Sequence, residues 1–183
     1  MSDYLHQFSI QFSGLSIGKH QFDFQIEDKF FEELGYAEIE HGNVSVQVEL
    51  EKKTTMLTLG FIYQGNISVA CDRCTAPWAF PVNGHDRLII QFADITSDDS
   101  NEDIIYLSRA EFEYNVSQHI YEYLATSLPL RVIPCEITGE TGLCNQEILS
   151  KLKEMQMSTH TGESNVNPMW EKLQTLKNKS NNK

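Results

Sequence analysis

The chain has 183 residues, 40% hydrophobic and 10% aromatic, with a formal charge of −12. This composition excludes a disordered polypeptide, and the charge excludes a general electrostatic binder of naked nucleic acid, which needs a basic stripe to meet phosphate. The length suits one ordinary core with a tail and is small for two. The first residues, Met1 to His6, lack the basic-then-apolar pattern of a secretory signal, and no segment is apolar enough to span a bilayer. A cytoplasmic protein with reduced thiols is therefore expected.

The first half of the chain alternates. Phe8, Ile10 and Phe12 fall on every second position, as do Phe22, Phe24 and Ile26, the period of a strand with one buried face. Lys29 to Gly35 reads as a short helix closed by glycine. Val44, Val46, Val48 and Leu50 then alternate, followed by Leu57, Leu59, Phe61 and Tyr63, with the polar stretch 51–55 as a hairpin turn. A further turn is expected at Gln64-Gly65-Asn66, and a third strand carries Ile67, Val69 and Cys71. Beyond Cys71-Asp72-Arg73-Cys74, the residues Trp78, Phe80 and Val82 alternate, and Pro77 and Pro81 suggest an edge strand. Asn83-Gly84 reads as a turn, and Leu88, Ile90 and Phe92 as another strand. The acidic stretch 93–103 lacks the spacing of a calcium loop and reads as solvated.

The second half turns helical. Ser117 is placed to cap a helix from Gln118 to about Ser127, with Ile120, Leu124 and Leu128 on one face and Pro129 as its stop. Residues 130–134 read as extended and 135–144 as a loop. Asn145 caps a second helix with Ile148, Leu149, Leu152 and Met155 in a stripe. The expected architecture is α+β: a curved antiparallel β-sheet or partly open barrel from the N-terminal half, packed by C-terminal helices. A single domain spans 1–155, a flexible linker 156–166, a short helix 167–177 started by Asn167-Pro168, and a disordered tail 178–183.

The four cysteines carry the chemistry. Cys71 and Cys74, three apart on a turn after a strand, can aim both sulfurs at one point, and Cys135 and Cys144 are the only others. Together they are candidate ligands of a tetrahedral structural zinc, and the fold must then return residues 135–144 to the turn. The nine-residue spacing of the second pair is wider than a knuckle, so ordinary buried thiols are the competing reading. A thioredoxin-like role requires the motif to open a helix, whereas here it lies between strands. No Gly-x-Ser-x-Gly, His-Glu-x-x-His or phosphate-loop motif occurs, and the chain reads as a non-enzyme. His85 is a substitute ligand only if a thiol is missing, and His119 reads as helix surface. Arg73, Arg131 and Trp170 are candidate contacts for RNA or a protein partner.

Four motifs in order resemble the YceD-like family of bacteria and plastids: Val69 to Cys74, Ser127-Leu128-Pro129, Gly142 to Asn145, and Pro168 to Leu173. The resemblance runs from about residue 10 to 176. It implies a factor in accumulation of large-subunit ribosomal RNA, without catalysis, that binds an assembly intermediate. A ribosomal protein or large-subunit precursor particle is its implied partner, with ribosomal RNA contacts at local basic spots. By resemblance Cys71 and Cys74 match the family's first cysteine pair and Cys144 the cysteine of its later loop. Members with further cysteines in that loop differ from this chain. The alternative function is a zinc- or thiol-dependent redox sensor.

Overall fold

The computed structural model of the chain describes residues 3–36, 38–39, 41–93 and 104–159. Its centre is an open, curved five-stranded sheet in the order β2 (Gly18–Ile26), β3 (His41–Lys52), β4 (Met56–Ala70), β5 (Pro77–Phe92), β6 (Ile104–Leu107). β2 to β5 are antiparallel neighbours, and β6 joins parallel, with Ile89 opposite Ile104. The architecture is the expected α+β, with one parallel strand where a wholly antiparallel sheet was expected. A second, two-stranded sheet pairs β1 (Ser9–Ile10) with β7 (Tyr114–Asn115). Helices α1 (Asp28–Leu34), α2 (Ser117–Thr126), α3 (Pro134–Thr138) and α4 (Gln146–Thr159) complete the order.

The alternation in the sequence becomes the two faces of the sheet. Val44, Val46, Val48 and Leu50 from β3 and Leu57, Leu59, Phe61 and Tyr63 from β4 are buried together with Phe30 and Phe31 of α1 and Ile120 and Leu124 of α2. Phe8 meets Phe30 edge-on at 4.9 Å between ring centres, and Phe30 meets Phe31 at 5.4 Å. Lys52 locks the N-terminal segment over the sheet: its ammonium donates to the carbonyls of Phe12, Ser13 and Leu15 at 2.8, 3.1 and 2.9 Å. The opposite face is polar, with Gln25, Asn43 and Ser45 hydrogen-bonded across β2 and β3.

Two expected turns are absent because their glycines do another job. β4 runs unbroken through Gly65 and β5 through Gly84. A side chain at Gly65 would place its Cβ 2.2 Å from the Asn43 carbonyl oxygen, and one at Gly84 would sit 2.4 Å from the Tyr63 hydroxyl. Both glycines admit a close neighbour inside a strand. Other local differences have equally local causes. Leu5–Phe8 forms a 3-10 turn, so only two residues of the first expected strand are extended, although Phe8, Ile10 and Phe12 are all buried. The cap of α2 is Asn115: its Oδ1 accepts from the Ser117 backbone N–H at 3.0 Å and hydroxyl at 2.5 Å. The stretch 135–144 holds α3 and a 3-10 turn, Thr141–Leu143, in place of a plain loop. α4 continues to Thr159 and takes in the first residues of the segment 156–166. The remainder of that segment, the helix at 167–177 with Trp170, the tail at 178–183 and residues 94–103 lie outside the described residues.

Candidate metal centre

β4 ends at Ala70 and β5 begins at Pro77, so Cys71 to Cys74 is the turn of the sheet's longest hairpin. The turn is tight: the Cys71 N–H donates to the Ala76 carbonyl at 2.9 Å and the Thr75 N–H to that of Cys71 at 2.8 Å. Thr75 closes it with φ of 56°, a left-handed conformation that a β-branched residue adopts only where its surroundings hold it. The Arg73 N–H points at the Cys71 sulfur, 3.4 Å away.

The second limb arrives from the far end of α2. After Pro129 the chain is non-helical to Ile133, Pro134 opens α3 at a position where its missing N–H is harmless, and Gly139 ends it with φ of 76°. Cys135 lies in the first turn of α3 and Cys144 just ahead of α4. Asn145 caps α4 as expected, its Oδ1 accepting from the N–H groups of Glu147 and Ile148 at 3.0 and 3.4 Å. Its own N–H donates to the Cys74 sulfur at 3.3 Å. The limbs are also joined without sulfur: Asp72 N–H donates to the Val132 carbonyl at 2.8 Å, and Val132 N–H to the Asp72 carboxylate at 2.5 Å.

The sulfurs of Cys71, Cys74 and Cys144 all lie within 4.8 Å of one another, and all three residues are buried. The half-buried Cys135 places its sulfur 2.9 Å from that of Cys144. All four are free thiols, set among Ala76, Ile133, Ile148 and Leu149. Backbone N–H groups of Ala76 and Asn145 hold the Cys74 thiol below its ordinary pKa, while Cys135 beside it, and then burial, push Cys144 up to about 12. A thiol held protonated by its neighbours, as Cys144 is, is relieved by a cation, which takes the place of its proton.

Zinc passes the test of fit. Zn–S bonds of about 2.3 Å in a tetrahedron put sulfurs about 3.8 Å apart, and three buried sulfurs mutually within 4.8 Å match that scale. Cys71, Cys74 and Cys144 would hold the ion; Cys135 lies outside that trio, its sulfur against that of Cys144 at less than the tetrahedral spacing. Bound there, the ion would tie the β4–β5 hairpin to the head of α4.

Arg73 and Arg131 converge on one carboxylate. Arg73 is ion-paired to Glu136 and its guanidinium lies 3.9 Å from the Cys135 sulfur; Arg131 reaches Glu136 at 3.7 Å. Asp72, Glu136 and the backbone of Asn145 thus belong to the site, and sequence reasoning did not find them in that role. A carboxylate inside the Cys-x-x-Cys turn was the available signal for Asp72; its backbone partner sixty residues on was not. His85 is exposed in the middle of β5, opposite Ile62. His119 is not bare helix surface: the Tyr114 hydroxyl lies 2.7 Å from its Nε2 and Glu122 3.2 Å from its Nδ1.

Among the described residues no helix is long and apolar enough to cross a membrane. No curated protein and no solved structure matches the chain. The family model for YceD, described as large ribosomal RNA subunit accumulation protein YceD, matches residues 59–177. That span is narrower than the resemblance read from the sequence and contains all four cysteines. The matched length is well over half the chain, which therefore belongs to the YceD family, whose description ties it to large-subunit ribosomal RNA.

Proposed function

We propose that the chain is a non-catalytic factor that supports accumulation of large-subunit ribosomal RNA by binding an assembly intermediate. In this reading Cys71, Cys74, Cys135 and Cys144 hold a structural zinc ion. The family match carries the ribosomal part. The convergence of sulfurs at the end of the β4–β5 hairpin supports a rigid platform that recognises without reacting. A charge of −12 favours first contact with a basic protein of the particle, since RNA phosphate would be repelled everywhere except at local basic spots such as Arg73 and Arg131. Sucrose-gradient sedimentation of tagged protein tests this. Co-migration with large-subunit precursors is expected at low salt, and protein confined to the free fraction overturns the proposal.

A second reading draws on one distance, the 2.9 Å between the Cys135 and Cys144 sulfurs. A hydroperoxide can oxidise such a pair: the two thiols lose two electrons and two protons, an S–S bond forms, the peroxide O–O bond breaks, and water and an alcohol leave. Metal analysis separates the readings. Stoichiometric zinc lost in Cys71→Ser supports the structural site, and reversible thiol oxidation of a metal-free protein supports a sensor.

A further inference from the structure

We propose that the hollow over Gly60, on the face of the sheet opposite the buried core, binds an arginine side chain presented by a basic protein partner. This rests on the reading above and names where contact is made. Glu49 of β3 and Arg87 of β5 stand opposite Gly60 in register, on either side of it. Their strands are two spacings apart, about 10 Å, and the glycine between them leaves a hollow of about 430 Å³.

Gly60 differs from the other two glycines inside β4 and β5. A Cβ at Gly60 would meet nothing nearer than the Glu49 carbonyl oxygen at 3.9 Å, so the fold does not require glycine there. Glycine weakens a strand interior, and a strand glycine the packing does not need marks a place where something else approaches the backbone. Three side chains around it are left unused. Neither Glu49 nor Arg87 makes an ion pair or side-chain hydrogen bond among the described residues. Thr58, in the same lining and only 8% exposed, has a buried hydroxyl without a partner. Ile62 beside Gly60 is a large apolar residue left 46% exposed on that face.

A guanidinium uses all of these. Its planar fork pairs with the Glu49 carboxylate, its stem lies along Ile62, and the Thr58 hydroxyl accepts one of its remaining N–H groups. Arg87 on the far wall donates to carbonyls of the segment that presents the arginine. The acidic chain draws in a basic partner. Single-stranded RNA is the poorer occupant, because His85 is the one exposed ring in the lining and offers a base a single stacking partner, and Glu49, Glu51 and Asp86 outnumber Lys19 and Arg87 there.

The test is an amide NMR titration of the full chain, at low salt, with an acetylated and amidated Gly-Arg-Gly-Arg-Gly peptide and its citrulline counterpart. Shifts centred on Glu49, Thr58, Gly60, Ile62 and Arg87 are expected with the arginine peptide and none with citrulline. Gly60→Val, which fills the hollow with a good strand former, should melt no lower than the parent and lose at least tenfold in affinity. Glu49→Gln, at an exposed position, should lose a similar factor and carries the test alone if Gly60→Val does not fold. Shifts spread evenly over the acidic surface, unchanged affinity in these variants, or the same residues responding to oligo-uridine and not to peptide would each overturn the proposal. The titration needs no ribosome, so its failure removes the pocket and leaves the ribosomal reading, whereas failure of the gradient experiment does the reverse.

Discussion

Asp72→Ala is the sharpest test of how the thiol site is built. The Asp72 carboxylate accepts the Val132 N–H at 2.5 Å, and Val132 is buried, so truncation leaves that N–H without an acceptor. A hydrogen bond to a charged group contributes about 1.5–3 kcal/mol, and an exposed carboxylate belongs near or below the bottom of that range, at about 1–2 kcal/mol. For a chain of this size that loss lowers the melting temperature by about 3–6 °C. Asp72→Asn keeps an acceptor oxygen but not its charge, and should lose about half as much. Because the bond joins the two cysteine limbs, the same 1–2 kcal/mol should reappear as a roughly 5–30-fold weaker hold on zinc. Calorimetry of metal-free protein, followed by zinc competition with a chromophoric chelator, measures both quantities. If Asp72→Ala melts within about 1 °C of the parent and binds zinc equally well, the clamp has no energetic role and the reasoning fails.

A strong chelator should lower the melting temperature of protein purified with zinc and release protons on metal return, since cysteine ligands must deprotonate; a melt unchanged by chelation refutes the structural ion. Gly65→Ala forces a Cβ to 2.2 Å from the Asn43 carbonyl oxygen, and should cost about 3 kcal/mol in urea unfolding, the upper end of overpacking. Gly60→Ala enters open space and should be neutral or stabilising by about 0.4–1 kcal/mol; equal effects at the two positions would contradict their assignment. At high pH, burial first raises the pKa of Tyr63, Tyr114, Tyr121 and Tyr123 to about 12, with neighbouring acidic groups adding to it. The neutral phenols are favoured in the fold, so their contribution is intact below the unfolded value of about 10 and is lost as pH rises through 12. Tyrosinate absorbance and circular dichroism should therefore change together in that window; early ionisation of these rings with the fold intact refutes the burial argument.

The inward faces of β3 and β4 were legible because side chains on a strand alternate, and Val44 through Leu50 and Leu57 through Tyr63 leave no other register. Gly65 and Gly84 were read as turns because glycine beside asparagine has a local meaning, and what overrides it is nonlocal: a carbonyl from the next strand in one case and the Tyr63 ring in the other. Ser117 lost its expected capping role to Asn115 for the same reason, since the Asn115 amide nitrogen is tied to the Leu5 carbonyl more than a hundred residues away. The first half of the thiol site could be read from spacing alone. The second could not, because nothing in a nine-residue gap says that α3 and a 3-10 turn fold it back on itself, bringing Cys135 to Cys144.

The boundaries of the family match sharpen the division of labour within the fold. The match begins at Leu59, inside β4, and runs on through the hairpin turn, α2 and both cysteine limbs. Everything that brings the sulfurs together therefore lies in the matched span. β2, β3 and α1 lie outside it, yet β3 pairs with β4 residue for residue over twelve positions and supplies Val44, Val46, Val48 and Leu50 to the buried face. Pairing through the backbone constrains only the inward residues of β3; its outward residues, Glu49 among them, can change without disturbing β4 or the thiols. In the proposed reading the thiol-tied hairpin sets the frame, and the outer face of the sheet, which the frame does not constrain, is where a partner would be chosen.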